Sequence, residues 1–123
     1  MPVENISVIK VYDILIVTVP AEPDDETIAM LQNKILEAME RHNARGLILD
    51  ISNVETLDSF FARTIVETAQ MVELMGGRTV IVGMRTSVAI TATQLGLSFR
   101  RIYAALNVER ALILLENLSS REE

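Results

Sequence analysis

Hydrophobic positions near the start of the chain follow a strand-like rhythm. Ile6, Val8 and Val11 begin it, and Ile14-Leu15-Ile16-Val17-Thr18-Val19 follows as a run rich in β-branched residues, which predicts two strands within residues 6–19. Tyr12-Asp13 between them is short enough for a hairpin turn, so the pair should be antiparallel. Pro20 and Pro23 end the second strand. The rhythm then changes to helical spacing. Ile28, Leu31, Ile35, Leu36 and Met39 share one side of a helix running to about Arg41. Asp24 or Asp25 is placed to cap it, with Glu26 near its positive end. Asn43-Ala44-Arg45-Gly46 closes the helix. Leu47-Ile48-Leu49-Asp50-Ile51 is apolar on both faces, as expected of a central strand covered on each side.

A polar loop, Ser52 to Thr56, leads to Asp58-Ser59 and a second helix that should run to about Met75, where Gly76-Gly77 is a strong stop. Arg78-Thr79-Val80-Ile81-Val82-Gly83 reads as another buried strand. Thr86 or Ser87 caps a third helix ending at Leu95-Gly96. A short edge strand is expected around Ile102 to Ala104, then a last amphipathic helix from Val108 to about Leu118 and a frayed tail, 119–123. The order β-β-α-β-α-β-α-β-α implies one α/β domain over residues 1–123. Its mixed sheet should have about five strands, an opening hairpin followed by mostly parallel pairing, with four helices.

Composition narrows what such a domain can do. Its 123 residues suit one core, and with five aromatic residues and no Trp that core is aliphatic. The formal charge is -6, and Lys10 and Lys34 are the only lysines. Such a surface repels nucleic acid and anionic membranes unless a basic stripe overrides the mean, and Arg100-Arg101 is too short to do so. The absence of cysteine excludes disulfides and thiolate metal sites. No signal-peptide pattern opens the chain, and no apolar run reaches the roughly 18 residues of a membrane span. The expectation is a soluble, cytoplasmic protein without a metal or cofactor.

The second helix carries the most information. At about 100° per residue, Phe61, Ile65, Thr68, Ala69, Val72 and Met75 fall on a core side, while Ser59, Arg63, Glu67 and Gln70 face water. Phe60, Val66, Met71 and Leu74 lie on or beside that outward side as well. Exposed apolar groups in such number point to a partner, although neighbouring elements could instead cover them. Asp58 is the better cap, which would free the Ser59 hydroxyl for modification. Asp-Ser before a helix is more often a cap and nothing else. His42, the lone histidine, sits at a helix end and reads as a dipole contact. Gly76-Gly77 precedes a strand, the wrong side for a phosphate loop. The methionines read as core filler, and Thr86-Ser87 as a cap with a second phosphosite as the alternative. Asp50, Glu55 and Asp58 could form a carboxylate site, but solvated loop acids and a helix cap are the much stronger explanation. Asp50 near a strand end also suits a receiver domain, which requires in addition an acidic pair after its first strand and a lysine after its last. No lysine lies beyond position 34.

The segment LDSFFAR (57–63), with LILDI before it and MGG and a strand after it, resembles the STAS-domain family, the anti-sigma-factor-antagonist fold. The likeness extends from Val8-Ile9-Lys10-Val11-Tyr12 to the last helix and is most specific at Asp58-Ser59. Ordinary antagonists have small residues after the Asp-Ser pair. Phe60 and Phe61 stand here instead, which suits the small stressosome subunit that has no added sensory domain. The resemblance implies a non-catalytic bacterial stress-response scaffold that partners paralogous STAS proteins and holds a serine kinase. Phosphorylation of Ser59 would release that kinase and a phosphatase would reset the site, with Thr86 as a possible second phosphosite. Asp58, Phe60, Arg63, Val66 and Glu67 would form the partner-binding surface, and the chain itself would be a dimer or homo-oligomer. The alternatives are a free-standing antagonist and, further off, a receiver using Asp50.

Overall fold

Leu15 and Val17 alternate with Ile14 and Ile16 along one strand, the first pair fully buried on one face and the second half-buried on the other. That alternation lets helices cover both sides of the sheet. The computed structural model describes residues 6–96 and 100–122. Strand β1 (Ser7–Val11) pairs antiparallel with β2 (Ile14–Thr18), placing Val8 opposite Val17. Strands β3 (Gly46–Asp50), β4 (Arg78–Val82) and β5 (Ile102–Ala105) follow in parallel, and the sheet order is β1-β2-β3-β4-β5.

Helices α1 (Asp25–His42), α2 (Ser59–Leu74) and α3 (Thr86–Gln94) each connect neighbouring parallel strands. Each crossover steps the same way across the sheet, so right-handed connections put all three on one face. Their buried residues, among them Ile28, Phe61 and Val88, join Leu15, Val17, Leu47, Leu49 and Ile81 in one core. Helix α4 (Val108–Glu122) packs Ala111 and Leu115 on the other face, against Ile48, Val80 and Val82. Between α1 and α2, Gln32 Nε2 donates to Thr68 Oγ1 at 3.0 Å.

Strand and helix order follow the hydrophobic pattern, with corrections at particular ends. Helix α4 continues four residues past Leu118, because no glycine or proline interrupts the segment and Leu118 and Ser119 stay half-buried; residue 123 of the expected tail lies outside the described residues. Helix α3 is capped by neither Thr86 nor Ser87. Arg85 holds the cap position without a side-chain cap, and Thr86 is the first helical residue. Met39 is buried and Met84 packs on the core, but Met30, Met71 and Met75 are exposed. They do not act as filler. Met75, expected on the core side, is exposed and instead caps the end of α2.

Gly76 has φ 91°, a left-handed conformation suited to the helix stop. Gly77 answers to space: a Cβ there would come 2.7 Å from Met39 Cε and 2.9 Å from Val72 Cγ1.

Candidate functional site

The carboxyl end of the parallel strands builds the site. Beyond Asp50 the chain stays tied to both neighbouring strands. Val19 N–H donates to the Asp50 carbonyl and Ile51 N–H to the Val82 carbonyl, each at 3.0 Å. Asp50 Oδ1 accepts the Ser52 N–H at 2.9 Å, bending the chain out of the sheet. Ile51, Val54 and Leu57 then enter the core at every third position, while Ser52, Asn53, Glu55, Thr56 and Asp58 remain exposed. The segment expected to be a polar loop is therefore anchored by its apolar residues.

That anchoring fixes how α2 begins. Asp58 has extended backbone angles (φ -96°, ψ 174°), and its Oδ1 accepts the Phe61 N–H at 2.8 Å. Its carbonyl accepts the Ala62 N–H at 3.0 Å, the first bond of the helix. With Asp58 as the cap, Ser59 is the first helical residue. It is exposed, and its hydroxyl has no hydrogen-bond partner among the described residues. The sequence expectation of a free hydroxyl beside a separate cap matches this geometry.

Helix α2 divides largely as its periodicity predicts. Phe61, Ile65, Thr68, Ala69 and Val72 are buried, joined by Ala62 and Thr64. Arg63 and Glu67 are exposed, Val66 is half-buried, and Phe60 keeps 40% of its surface in water. Met71 and Leu74 extend the apolar exposure down the helix. Asp58, Ser59, Phe60, Arg63, Val66 and Glu67 thus share one accessible helix end and flank. A groove of about 340 Å³ beside it is lined by Glu22, Pro23, Ile28, Thr56, Leu57, Asp58 and Phe61. A larger cavity of about 590 Å³ lies at the opposite end of the sheet, between the β1–β2 turn and α4.

Sequence reasoning missed the residue that joins the two neighbouring loops. Arg85 Nε donates to the Ser52 carbonyl at 2.9 Å, and its Nη1 lies 3.7 Å from Glu55 Oε1. Ser87 Oγ donates to the Glu55 carbonyl at 3.2 Å. An arginine just before a helix gives no sign in the sequence of such long-range contacts. Thr86, between the two, is exposed and does not cap the helix. It lies at the start of the neighbouring helix, on the same end of the sheet as Ser59.

His42 and Arg101 stand apart from this end, whereas Asp50 belongs to it. His42 is half-buried in the last turn of α1. Arg101 is paired with Glu73. Asp50 is engaged with the Ser52 amide, and no group of three His, Cys, Asp or Glu positioned to hold a metal ion occurs among the described residues. None of the described helices is long and apolar enough to cross a membrane.

Residues 5–111 match the family described as the STAS domain. Among solved structures, a serine-to-glutamate variant of RsbS from Moorella thermoacetica is 32% identical with a TM-score of 0.84, covering 95% of this chain and 99% of that one. A chain in a structure described as the molecular architecture of the stressosome, a signal integration and transduction hub, is also 32% identical, with a TM-score of 0.77, covering 92% of this chain and 98% of that one. The RsbT co-antagonist protein RsbRB of Bacillus subtilis is 30% identical over 89 residues, which is 72% of this chain and 32% of that protein. The chain therefore spans about a third of the length of that relative. The anti-sigma factor antagonist SpoIIAA, at 15% identity and a TM-score of 0.68, shares the fold.

Proposed function

We propose, from the premise that this chain belongs to the STAS-domain family, that it is a non-catalytic partner-switching scaffold of a stressosome. In this reading the unmodified chain assembles with paralogous STAS proteins in the cytoplasm and sequesters a serine kinase. Modification of Ser59 releases that kinase, and a phosphatase resets the site. The likeness to RsbS and to a stressosome chain supports the assembly, as does the similarity of a domain-sized segment to proteins named RsbT co-antagonists.

One observation carries the reading: with Asp58 as the cap, Ser59 is exposed and its hydroxyl is unengaged among the described residues. The kinase would form a bond from Ser59 Oγ to the terminal phosphorus of ATP as the bond to the ADP oxygen breaks, the hydroxyl proton passing to a base of the kinase or to water. Phosphate adds about -1.5 to -2 charges and three acceptor oxygens. The N-terminal end of α2 tolerates that anion, with a favourable contribution of about 0.3–1 kcal/mol. A partner surface packed on Phe60 does not, since burying an unpaired charge costs several kcal/mol. Each 1.4 kcal/mol is about tenfold in affinity, so the same modification leaves the fold standing and opens the complex.

The test is labelling by the cognate serine kinase with ATP. Label should appear on the wild-type chain and vanish in Ser59→Ala. No label, or label undiminished by that substitution, ends the proposal. Residual label removed only by Thr86→Ala would add Thr86 as a second acceptor.

A further inference from the structure

Ser59, Arg63 and Glu67 follow one another at intervals of four along the outward flank of α2, and all three are exposed. Residues four apart on a helix are neighbours, with about 5–6 Å between their Cβ atoms. Arg63 nevertheless makes no ion pair with Glu67, and no hydrogen bond from its guanidinium occurs among the described residues. The direction of the helix explains why Glu67 is a weak partner. An acidic group four residues before a basic one is well placed, whereas the reverse order is less favourable. Glu67 lies on the poorer side of Arg63, and position 59 lies on the better one.

We propose that a phosphate on Ser59 is gripped by the Arg63 guanidinium of the same helix, so that the switch withdraws Arg63 from the partner surface while adding negative charge to it. This rests on the Ser59 reading and specifies how the modification acts. In the unmodified chain Arg63 stands between Phe60 and Val66 on the helix, with no ion-pair partner among the described residues. It suits an acidic side chain of the partner surrounded by apolar contacts, the setting in which arginine contributes most at interfaces. A phosphate four residues earlier offers the planar guanidinium two oxygens at once. The partner's acid then loses its counter-charge and meets an anion in the same step.

The test uses the full chain with phosphoserine incorporated at position 59 during translation, so no kinase is needed. The second ionisation of the phosphate, ordinarily near pH 6, is followed by phosphorus NMR. It should lie about 0.15–0.4 unit lower in the otherwise unaltered chain than in Arg63→Gln. Arg63→Lys should recover part of the difference, and Glu67→Gln should lower the value further by removing the competitor. Asp58, Glu22 across the groove, and the α2 N–H groups act equally in every variant, so the difference isolates position 63. Coincident values in the unaltered and Arg63→Gln chains overturn the inference and leave Ser59 standing as the phosphoacceptor. Failure of the kinase to label Ser59 removes the phosphoacceptor and leaves this titration unaffected.

Discussion

Gly83 lies so close to Ser52 that a Cβ added to it would sit 2.6 Å from Ser52 Cβ and 2.9 Å from Ser52 Cα. The loops that follow β3 and β4 meet at this point, and the contact admits no side chain. Gly83 also has φ 75°, a conformation L-residues rarely adopt. Gly83→Ala is therefore expected to destabilise the fold by about 2 kcal/mol or more, combining backbone strain with overpacking. A denaturant midpoint unchanged from wild type would show that the loops can separate without penalty.

Arg85 joins the same loops through side-chain bonds at the surface, so its contribution should be local. Arg85→Gln is expected to change global stability by less than about 1 kcal/mol. It should nevertheless speed hydrogen exchange of the amides from Ser52 to Glu55, the segment held by Arg85 and Ser87. Equal exchange in both proteins would mean that Ile51, Val54 and Leu57 alone hold the loop.

Asp58 and Ser59 should separate cleanly under substitution. Asp58→Ala removes the bond to the Phe61 N–H and should cost about 1 kcal/mol, lowering the thermal midpoint by roughly 3–6 °C for a chain of this size. Ser59→Ala removes an exposed, unbonded hydroxyl and should stay within about 0.5 kcal/mol of wild type. If the alanine at 59 were the more damaging of the two, Ser59 would be the cap and its hydroxyl would not be free.

The division between these two residues was legible in the sequence, and so were the strand order, the hairpin and the core side of α2. Each is written in local patterns: alternation at Ile14–Val19, period at Phe61–Val72, and an acidic residue before a helix. What escaped was set by contacts distant in the chain. Arg85 meets Ser52 from 33 residues away, and no local spacing encodes that. Thr86 looked like a cap because threonine favours that position, yet the loop geometry places Arg85 there instead. Val54, a lone apolar residue among polar ones, is fully buried, and its neighbours concealed its role. The end of α4 was read too early because polar residues mark the ends of many helices, although none of those at 119–122 prevents helical backbone.

Asp24 provides a prediction about pH. The Thr27 N–H, which donates to Asp24 Oδ1 at 2.8 Å, holds that carboxyl below its ordinary value. A carboxyl whose pKa is lowered by folding contributes stability above its unfolded value, about 3.9, and loses it as pH falls through the folded value. Wild type should therefore exceed Asp24→Ala by more at pH 6 than at pH 3. A difference that does not change between those conditions would show that the cap works without its charge.

Binding of the cognate serine kinase, measured for the unmodified chain and for the same chain carrying phosphoserine at position 59, addresses the switch itself. Phosphoserine should weaken binding at least tenfold while the thermal midpoint moves by only a few degrees. Undiminished binding, or weakened binding accompanied by loss of the cooperative unfolding transition, would contradict a phosphate that repels the partner and spares the fold.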